Sequence, residues 1–456
     1  MYKEELEKDF TKTLKLLKSQ QKDQSVISNN RKEYVNMDRF IRATQVGFTQ
    51  IDKTVGTGNK ARTILATRIA INFQKEIVKK SVAFEVGNPP TVTPIEQTDL
   101  SQLAIDTWNA CRLDYRLQEA FEIRKSETES AFLFHFKTNS DNIREIKCRL
   151  LSHKSGVMSA HFDEFGDMDA FVWDFTSKVG DKDVKNTWVY DELNLYKYSD
   201  EVGGFGFVEG IPHGFTKIPV VYLAQDFNEW KDVETIIDRN ETSISRLVES
   251  NDYSGHPILA IFGTVTDMMN KNDSGKTLNF PIETTSDGKP VMGDAKFITN
   301  DNAPDSVKLE LDYENSLIYK ITQTPNLSFD NLKGLGAVSG VALEFMFLDA
   351  ILKAKGNEGE NRTIIERCLS IITDGIVNVI SVGLKGQLPL LRWNIKFNSI
   401  LPNDTTTLIE DMSKGVESGI ISIDTAVKEI GLTEDTELEI QKIKDEKTIS
   451  QTDRKI

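Results

Sequence analysis

Between Thr324 and Ala354 the chain reads TPNLSFDNLKGLGAVSGVALEFMFLDAILKA, and this stretch constrains the fold more than any other. Pro325-Asn326 stops one helix. Gly334, Gly336 and Gly340 follow, and glycine lets backbone move or approach a neighbour closely. A helix then begins that is apolar on nearly every face, and such a helix must be buried in lipid or in protein. The apolar run from Ala337 to Leu352 is shorter than the roughly 20 residues a bilayer requires, and Glu344 and Asp349 interrupt it. Burial in protein is the expectation. A glycine-rich loop hung between two such helices points to a moving part inside a larger assembly.

The length, 456 residues, accommodates two to four domains with sizeable cores. With 39% hydrophobic and 27% charged residues, the composition is that of an ordinary folded protein. The formal net charge of −15 excludes a wide basic surface for gripping phosphates. Cys111, Cys148 and Cys368 lie far apart without a CxxC pair and read as buried free thiols in a reducing compartment. The charged start MYKEELEKDFTK lacks an apolar h-region, so no signal peptide is expected.

Along the chain, Leu6, Phe10, Leu14 and Leu17 predict an amphipathic helix, followed by a polar stretch from Gln20 to Asn30. Leu65, Ile69, Phe73 and Ile77 predict a second helix, running into a short strand at Ser81–Val86 and a hard turn at Gly87-Asn88-Pro89-Pro90. From about Glu129 to Tyr222 the period shifts towards two. The runs AFLFHF, EIKCRLL, DAFVWDF, TWVYDELNLYKY and IPVVYLA predict an antiparallel β region. Val233, Ile237, Ile244, Leu247 and Val248 then form one helical stripe, with Asp238, Arg239, Glu241 and Arg246 expected outside.

Residues 253–307 read as a small α/β island, with strand-like pieces HPILAIFG, KTLNFPI and AKFIT and a last strand at Val307, Leu309 and Leu311. Leu317, Ile318 and Ile321 belong to a returning helix. After the glycine-rich loop, Leu343, Met346, Phe347, Ala350, Ile351 and Ala354 keep helical spacing. A break is expected at Lys355–Gly359, before Ile364, Cys368, Ile372, Ile376 and Val379 resume it. A strand LLRWNIKFN precedes Pro402, and the end is helical over Thr405–Glu417 and Ile420–Ile430, with a charged tail beyond Thr433.

Little catalytic chemistry is visible. Ser274-Gly275-Lys276-Thr277 lacks the earlier glycine of a phosphate loop, since Asn270 stands there, and reads as a surface turn. His161, Asp163, Glu164, Asp167 and Asp169 could ligate a metal, yet their spacing fits no EF-hand and a hairpin turn favours the same residues. His135, His153, His213 and His256 stand alone, with His135 expected in the core.

The order of elements resembles the portal proteins of tailed double-stranded DNA bacteriophages, from about Ile64 to Glu446. Four segments carry the resemblance. They are Ala66–Phe73 with Ala83–Pro89, and Pro212-His213-Gly214-Phe215-Thr216-Lys217-Ile218-Pro219-Val220-Val221. Then come Pro325-Asn326-Leu327 with Ser339-Gly340-Val341-Ala342-Leu343, and finally Phe397-Asn398, Pro402-Asn403-Asp404, Ser418–Ser422 and Glu437-Leu438-Glu439.

The resemblance implies a mainly helical α+β protomer of a ring, usually dodecameric, at one capsid vertex of the virion, assembled in the host cytoplasm. It implies a wing at 1–226 and 342–400, a two-helix stem at 227–252 and 308–325, a clip at 253–307, a tunnel loop at 326–341 and a helical crown with a charged tail at 401–456. Stem packing would fall to Val233, Ile237, Ile244, Leu247, Leu317, Ile318 and Ile321. The tunnel loop would present Asn326, Ser328, Asp330, Asn331, Lys333, Gly334, Gly336, Ser339 and Gly340 to passing duplex DNA, without sequence specificity. Clip residues His256, Lys271, Lys276 and Lys289 would meet the large terminase subunit and later the head-tail adaptor. The major capsid protein is a further implied partner; no cofactor, metal, membrane or enzymatic activity is implied. An acidic conduit agrees with this, because each neutralised phosphate adds affinity and would slow sliding. Two rival readings are a membrane-associated pore or scaffold built on Val338–Leu352, and a metal-dependent hydrolase using His161, Asp163 and Asp167.

Overall fold

In the computed structural model, residues 2–453 are described except 38, 43–50, 202–203, 255–257, 263–282, 285, 289, 292, 299–303, 327–343, 401–404 and 432–435. Helices and antiparallel sheets mix in an α+β arrangement.

The main core forms where helices close over one face of a small sheet. Helix α4 (Phe73–Val86) is capped by Asn72, whose side chain accepts from Lys75 N. With α5 (Asp99–Ala110) and α6 (Leu113–Glu127) it buries Ile77, Val78, Leu100, Leu117 and Phe121 in one cluster. The sheet is β4 (Glu129–Thr138) between β5 (Arg144–Leu151) and β11 (Val220–Ala224). The long helix α9 (Leu348–Gly375) lies against both and adds Ile365, Cys368, Leu369 and Ile372. It then widens into a π turn over Ile376–Ile380.

The second β unit is a five-stranded meander, in the order β10 (Gly206–Pro212), β9 (Asn194–Ser199), β8 (Lys182–Tyr190), β7 (Met168–Val179), β6 (Val157–Phe162). One face meets the three-stranded sheet through Met158, Phe171, Trp173, Leu133 and Val220. The other face is covered by the N-terminus, where Tyr2, Leu6 and Leu17 pack on Val172, Val189 and Tyr196. This N-terminal segment is α1 (Lys3–Lys8) and α2 (Phe10–Leu17), broken where Asp9 caps α2 through Lys12 N. The polar stretch after it contains α3 (Gln24–Tyr34), whose Tyr34 hydroxyl donates to Glu122 at 2.5 Å. The described residues before Asn72 thus form a strap from the meander across the helical core.

Helix α7 (Glu234–Ser254) and helix α8 (Pro304–Ile321) pack side by side as a hairpin. Between them in sequence, β12 (Ile258–Phe262) pairs antiparallel with β15 (Asp294–Ile298), and β13 (Glu283–Thr284) with β14 (Pro290–Val291). The expected KTLNFPI strand lies outside the described residues, save for its neighbour β13. Near the C-terminus, β16 (Trp393–Asn398) pairs with β3 (Asn88–Pro94), and helices follow at Thr405–Glu417, Ile423–Ile430 and Thr436–Asp453.

Several sequence expectations need correction. The helix expected from Leu65 starts only at Phe73. Ser81–Val86 is helix, not strand: Ile77, Val78, Ser81, Val82, Glu85 and Val86 are buried at helical spacing on α4. The strand comes one step later, where Gly87-Asn88-Pro89-Pro90 was expected only to turn. Val307, Leu309 and Leu311 lie in α8, which opens with Pro304, pre-set for a first helical turn, and Asp305. Helix α9 runs unbroken through Lys355–Gly359. Gly356 and Gly359 face open space, so each costs only propensity, about 1 kcal/mol. Ion pairs from Glu358 to Lys355 and Arg362 span them.

Glu241 does not stay outside. Its carboxylate is fully buried, accepting from Arg39 Nη2 at 2.7 Å and from Ile71 N at 2.8 Å. The strap brings both donors, which nothing local to α7 announces.

Candidate functional site

The ends of the glycine-rich segment meet the base of the α7/α8 hairpin, and that junction is held by buried charge. Asn326 is described; Ser328, Asp330, Asn331, Lys333, Gly334, Gly336, Ser339 and Gly340 lie outside the described residues. Just before the segment, α8 ends at Ile321, and Thr322 and Thr324 are buried with their hydroxyls 2.7 Å apart. Lys80 Nζ on α4 donates to Pro325 O at 2.8 Å. Just after the segment, Lys353 Nζ on α9 donates to Thr322 O at 2.6 Å. The two flanks are therefore tied to each other and to the core.

The same Lys353 pairs with Glu229 at 2.5 Å, immediately before α7. Glu229 also receives Lys125 Nζ at 3.3 Å and the Ser81 hydroxyl at 2.9 Å. Lys125, in turn, pairs with Glu85 at 2.9 Å, and Glu85 accepts from Asn357 at 2.7 Å and Asn361 at 3.3 Å. Burial pushes the Glu229 carboxyl up, but the ammonium groups of Lys125 and Lys353 outweigh it and hold it down at about 2. Four elements that are distant in sequence are pinned at one carboxylate. Sequence reading missed this cluster. Its only signal was charge at core-facing positions: Glu85 inside SVAFEV and Lys125 near the end of α6.

The hairpin itself is only partly apolar inside. Val233, Ile237 and Ile318 are buried, while Ile244, Leu247 and Leu317 are half-buried. Ile321 is 44% exposed. Between these, Asn240 Nδ2 donates to Glu314 at 3.1 Å, and Arg239 pairs with Glu310 at 2.6 Å. Asp238 is raised to about 6, first by burial and then by Glu241 and Glu234, against the pull of Arg39. Helix α8 carries a second apolar surface at i and i+4, where Leu309 is 71% exposed and Tyr313 65%. Apolar surface is exposed at the start of α9 as well, at Leu348 and Leu352.

His256, Lys271, Lys276 and Lys289 lie outside the described residues. His161 Nδ1 sits 2.6 Å from Asp169, which also accepts from the Tyr2 hydroxyl at 2.6 Å. Asp163 folds back on Phe165 N and Asp167 N as a hairpin turn. Among the described residues no group of three or more side chains could hold a metal ion. Cys111, Cys148 and Cys368 are free and buried, and burial raises each thiol above its usual range. His135 is exposed rather than packed in the core, and the protein around it, by displacing part of its water, lowers its pKa. No helix among the described residues is long and apolar enough to cross a membrane.

The model of the family described as phage portal protein, SPP1 Gp6-like, matches residues 15–453. The chain belongs to the phage portal protein family. Portal proteins are structural rather than enzymatic, and are ring-forming connector components of the virion at the capsid vertex. No curated protein matches the chain. Two solved structures are similar in shape. A chain from the neck of an empty GTA particle, computed with C6 symmetry, is 11% identical, covering 79% of this chain and 89% of its own, with a TM-score of 0.39. One from the neck of a native GTA particle, computed with C12 symmetry, is 10% identical, covering 79% and 90%, with a TM-score of 0.37.

Proposed function

We propose that this portal protein assembles a closed, twelve-membered ring through which the genome is packaged and later ejected. In this reading α7 and α8 are the stem and the β12/β15 unit belongs to the clip, which docks the large terminase subunit and then the head-tail adaptor. The sheets and α9 form the wing towards the major capsid protein, and the C-terminal helices form the crown. Residues 326–341 are the tunnel loop, one copy per protomer facing the channel.

The observation that carries the reading is the second apolar stripe of α8. A hairpin helix that buries one face on α7 and leaves Leu309 and Tyr313 exposed lacks a partner on that side among the described residues. A head-to-tail neighbour covers such a face at every interface of a closed ring. The junction at Glu229 supports the loop assignment, since it fixes both flanks of that segment to the core.

Purified protein should appear by negative-stain microscopy as rings with a central hole, on the order of ten times heavier than the chain. A stable monomer at every salt concentration would overturn the proposal. Replacing Gly334 and Gly336 with proline should spare ring assembly and impair DNA packaging, because it stiffens the loop without touching its anchors. Equal loss of both would make the loop a structural element.

A further inference from the structure

The two sheets enclose a cleft of about 470 Å³ that the portal reading does not use. Its walls come from β4 and β5 on one side and from β7, β8, β9 and the end of β10 on the other. No aspartate or glutamate lines it, in a chain of net charge −15. Arg144, Arg149 and Lys197 do.

These cations differ in how they are satisfied. Lys197 pairs with Glu209 across the β9/β10 ladder at 2.6 Å, at the rim. Arg144 and Arg149 have no carboxylate partner among the described residues. Arg149 is held instead over the Trp173 ring, 4.6 Å from its centroid. A guanidinium seated on an indole loses little further freedom when it binds an anion, so it is pre-organised for one. The positive field is felt locally: after burial, Arg149 is the first charge that holds the His135 pKa down.

The aromatic walls decide between classes of anion. Trp173 is fully buried, with Phe175 stacked on it at 4.0 Å and Arg149 above it. Trp188 meets Trp173 and Phe175 edge-on and carries Lys197 over its ring at 5.2 Å. Both indoles are already engaged by a cation and by an aromatic neighbour, which disfavours the base stacking on which single-stranded nucleic acid depends. A rigid duplex cannot enter a concave cleft of this size, and its length would bring it against the acidic remainder of the chain. A short peptide feels only charges within roughly a Debye length, about 10 Å. Leu133, Leu195 and Ile211 add an apolar floor for one of its side chains.

We propose that this cleft docks an acidic peptide segment of a partner protein, whose carboxylates pair with Arg144 and Arg149 while an apolar side chain enters between the sheets. The proposal stands independently of the ring assignment.

The test uses the full chain, with fluorescence anisotropy of a labelled peptide that alternates glutamate and leucine, and its glutamine counterpart. The variants are R144Q/R149M, in which methionine keeps an apolar stem over Trp173, and a control with the same charge change, K8Q/K12Q, on exposed α1 and α2 positions. Wild type and control should bind the acidic peptide in a salt-dependent manner. R144Q/R149M should bind roughly tenfold or more weakly, as loss of two charge-assisted contacts requires. The glutamine peptide should bind no better than that variant. Far-ultraviolet circular dichroism of the free R144Q/R149M protein should match wild type, showing the fold intact, and only wild type and control should shift their tryptophan emission on binding. Equal binding by R144Q/R149M, no binding by wild type, or tighter binding of a single-stranded or duplex oligonucleotide at the same residues would each overturn the proposal.

Discussion

Lys125 is the residue on which the junction turns. It is buried between Glu85 and Glu229, so removing it leaves Glu85 without a cation and Glu229 with Lys353 alone. Lys125→Met should therefore cost about 3–5 kcal/mol at neutral pH, the usual penalty for deleting one partner of a buried ionic cluster. Chemical denaturation measures it. The sign of the pH dependence follows from Glu229, whose folded pKa of about 2 lies below its ordinary 4.5. Its stabilising contribution is complete above pH 4.5 and is lost as pH falls towards about 2. The gap between wild type and Lys125→Met should narrow over that window, because protonation neutralises the carboxylates that the variant leaves short of a cation. A gap constant with pH would mean that Lys125 acts by packing alone. None of this was legible in the sequence. Glu85 looks like one charge in an apolar run, and its partners come from residues 125, 357 and 361, which only the tertiary fold brings near. Val233 and Ile237 were legible as core because their partners lie along one helix face, a local property.

Elements were readable where period and punctuation agreed. Alternation from Glu129 to Tyr222 gives strands because β4 to β9 and β11 each bury residues on a core, and Thr405–Glu417 emerges with the expected bounds. Reading failed where a short apolar run fits both periods. Ser81–Val86 and Val307–Leu311 each hold β-branched or aliphatic residues two apart, and the decision falls to neighbours: α4 is already nucleated upstream, and Pro304 opens α8. The reverse error occurred at Gly356 and Gly359, where glycine suggests a break but helix α9 is anchored on both sides. A different glycine in that helix does constrain it. At Gly375 an added Cβ would stand 2.6 Å from Phe215 Cε1 and 2.9 Å from Ile146 Cδ1. Helix α9 reaches the sheet only because this position is bare. Gly375→Ala should lose about 1–3 kcal/mol through overpacking, read as a lowered thermal midpoint. Gly356→Ala, facing solvent, should instead gain up to about 1 kcal/mol. Equal effects at both positions would show that the close approach does not constrain α9.

At the scale of the whole molecule, the unresolved question in the sequence was what covers an over-apolar helix. The run at Thr324–Ala354 suggested burial in protein, and in a single chain part of it, at Leu348 and Leu352, is not buried. The surplus extends along α8, on the side turned away from α7. A lone chain offers no reason to keep Leu309 and Tyr313 in water, whereas a ring offers one at every interface. Substituting both with serine separates the two accounts. If they serve a neighbour, Leu309→Ser with Tyr313→Ser should abolish rings, seen as a shift of mass towards the 51.4 kDa chain by analytical ultracentrifugation. The fold itself should barely respond, because exposed substitutions away from caps and cores stay within about 0.5 kcal/mol. Circular dichroism at matched concentration checks that second half. If rings persist with unchanged mass, the stripe is not an interface, and assembly must run through the sheets or the strap instead. The strap gives that outcome a place to look. It ties α7 at Arg39 and Ile71 to the same protomer's meander, so a neighbour that engaged it would bind the hairpin and the sheets together.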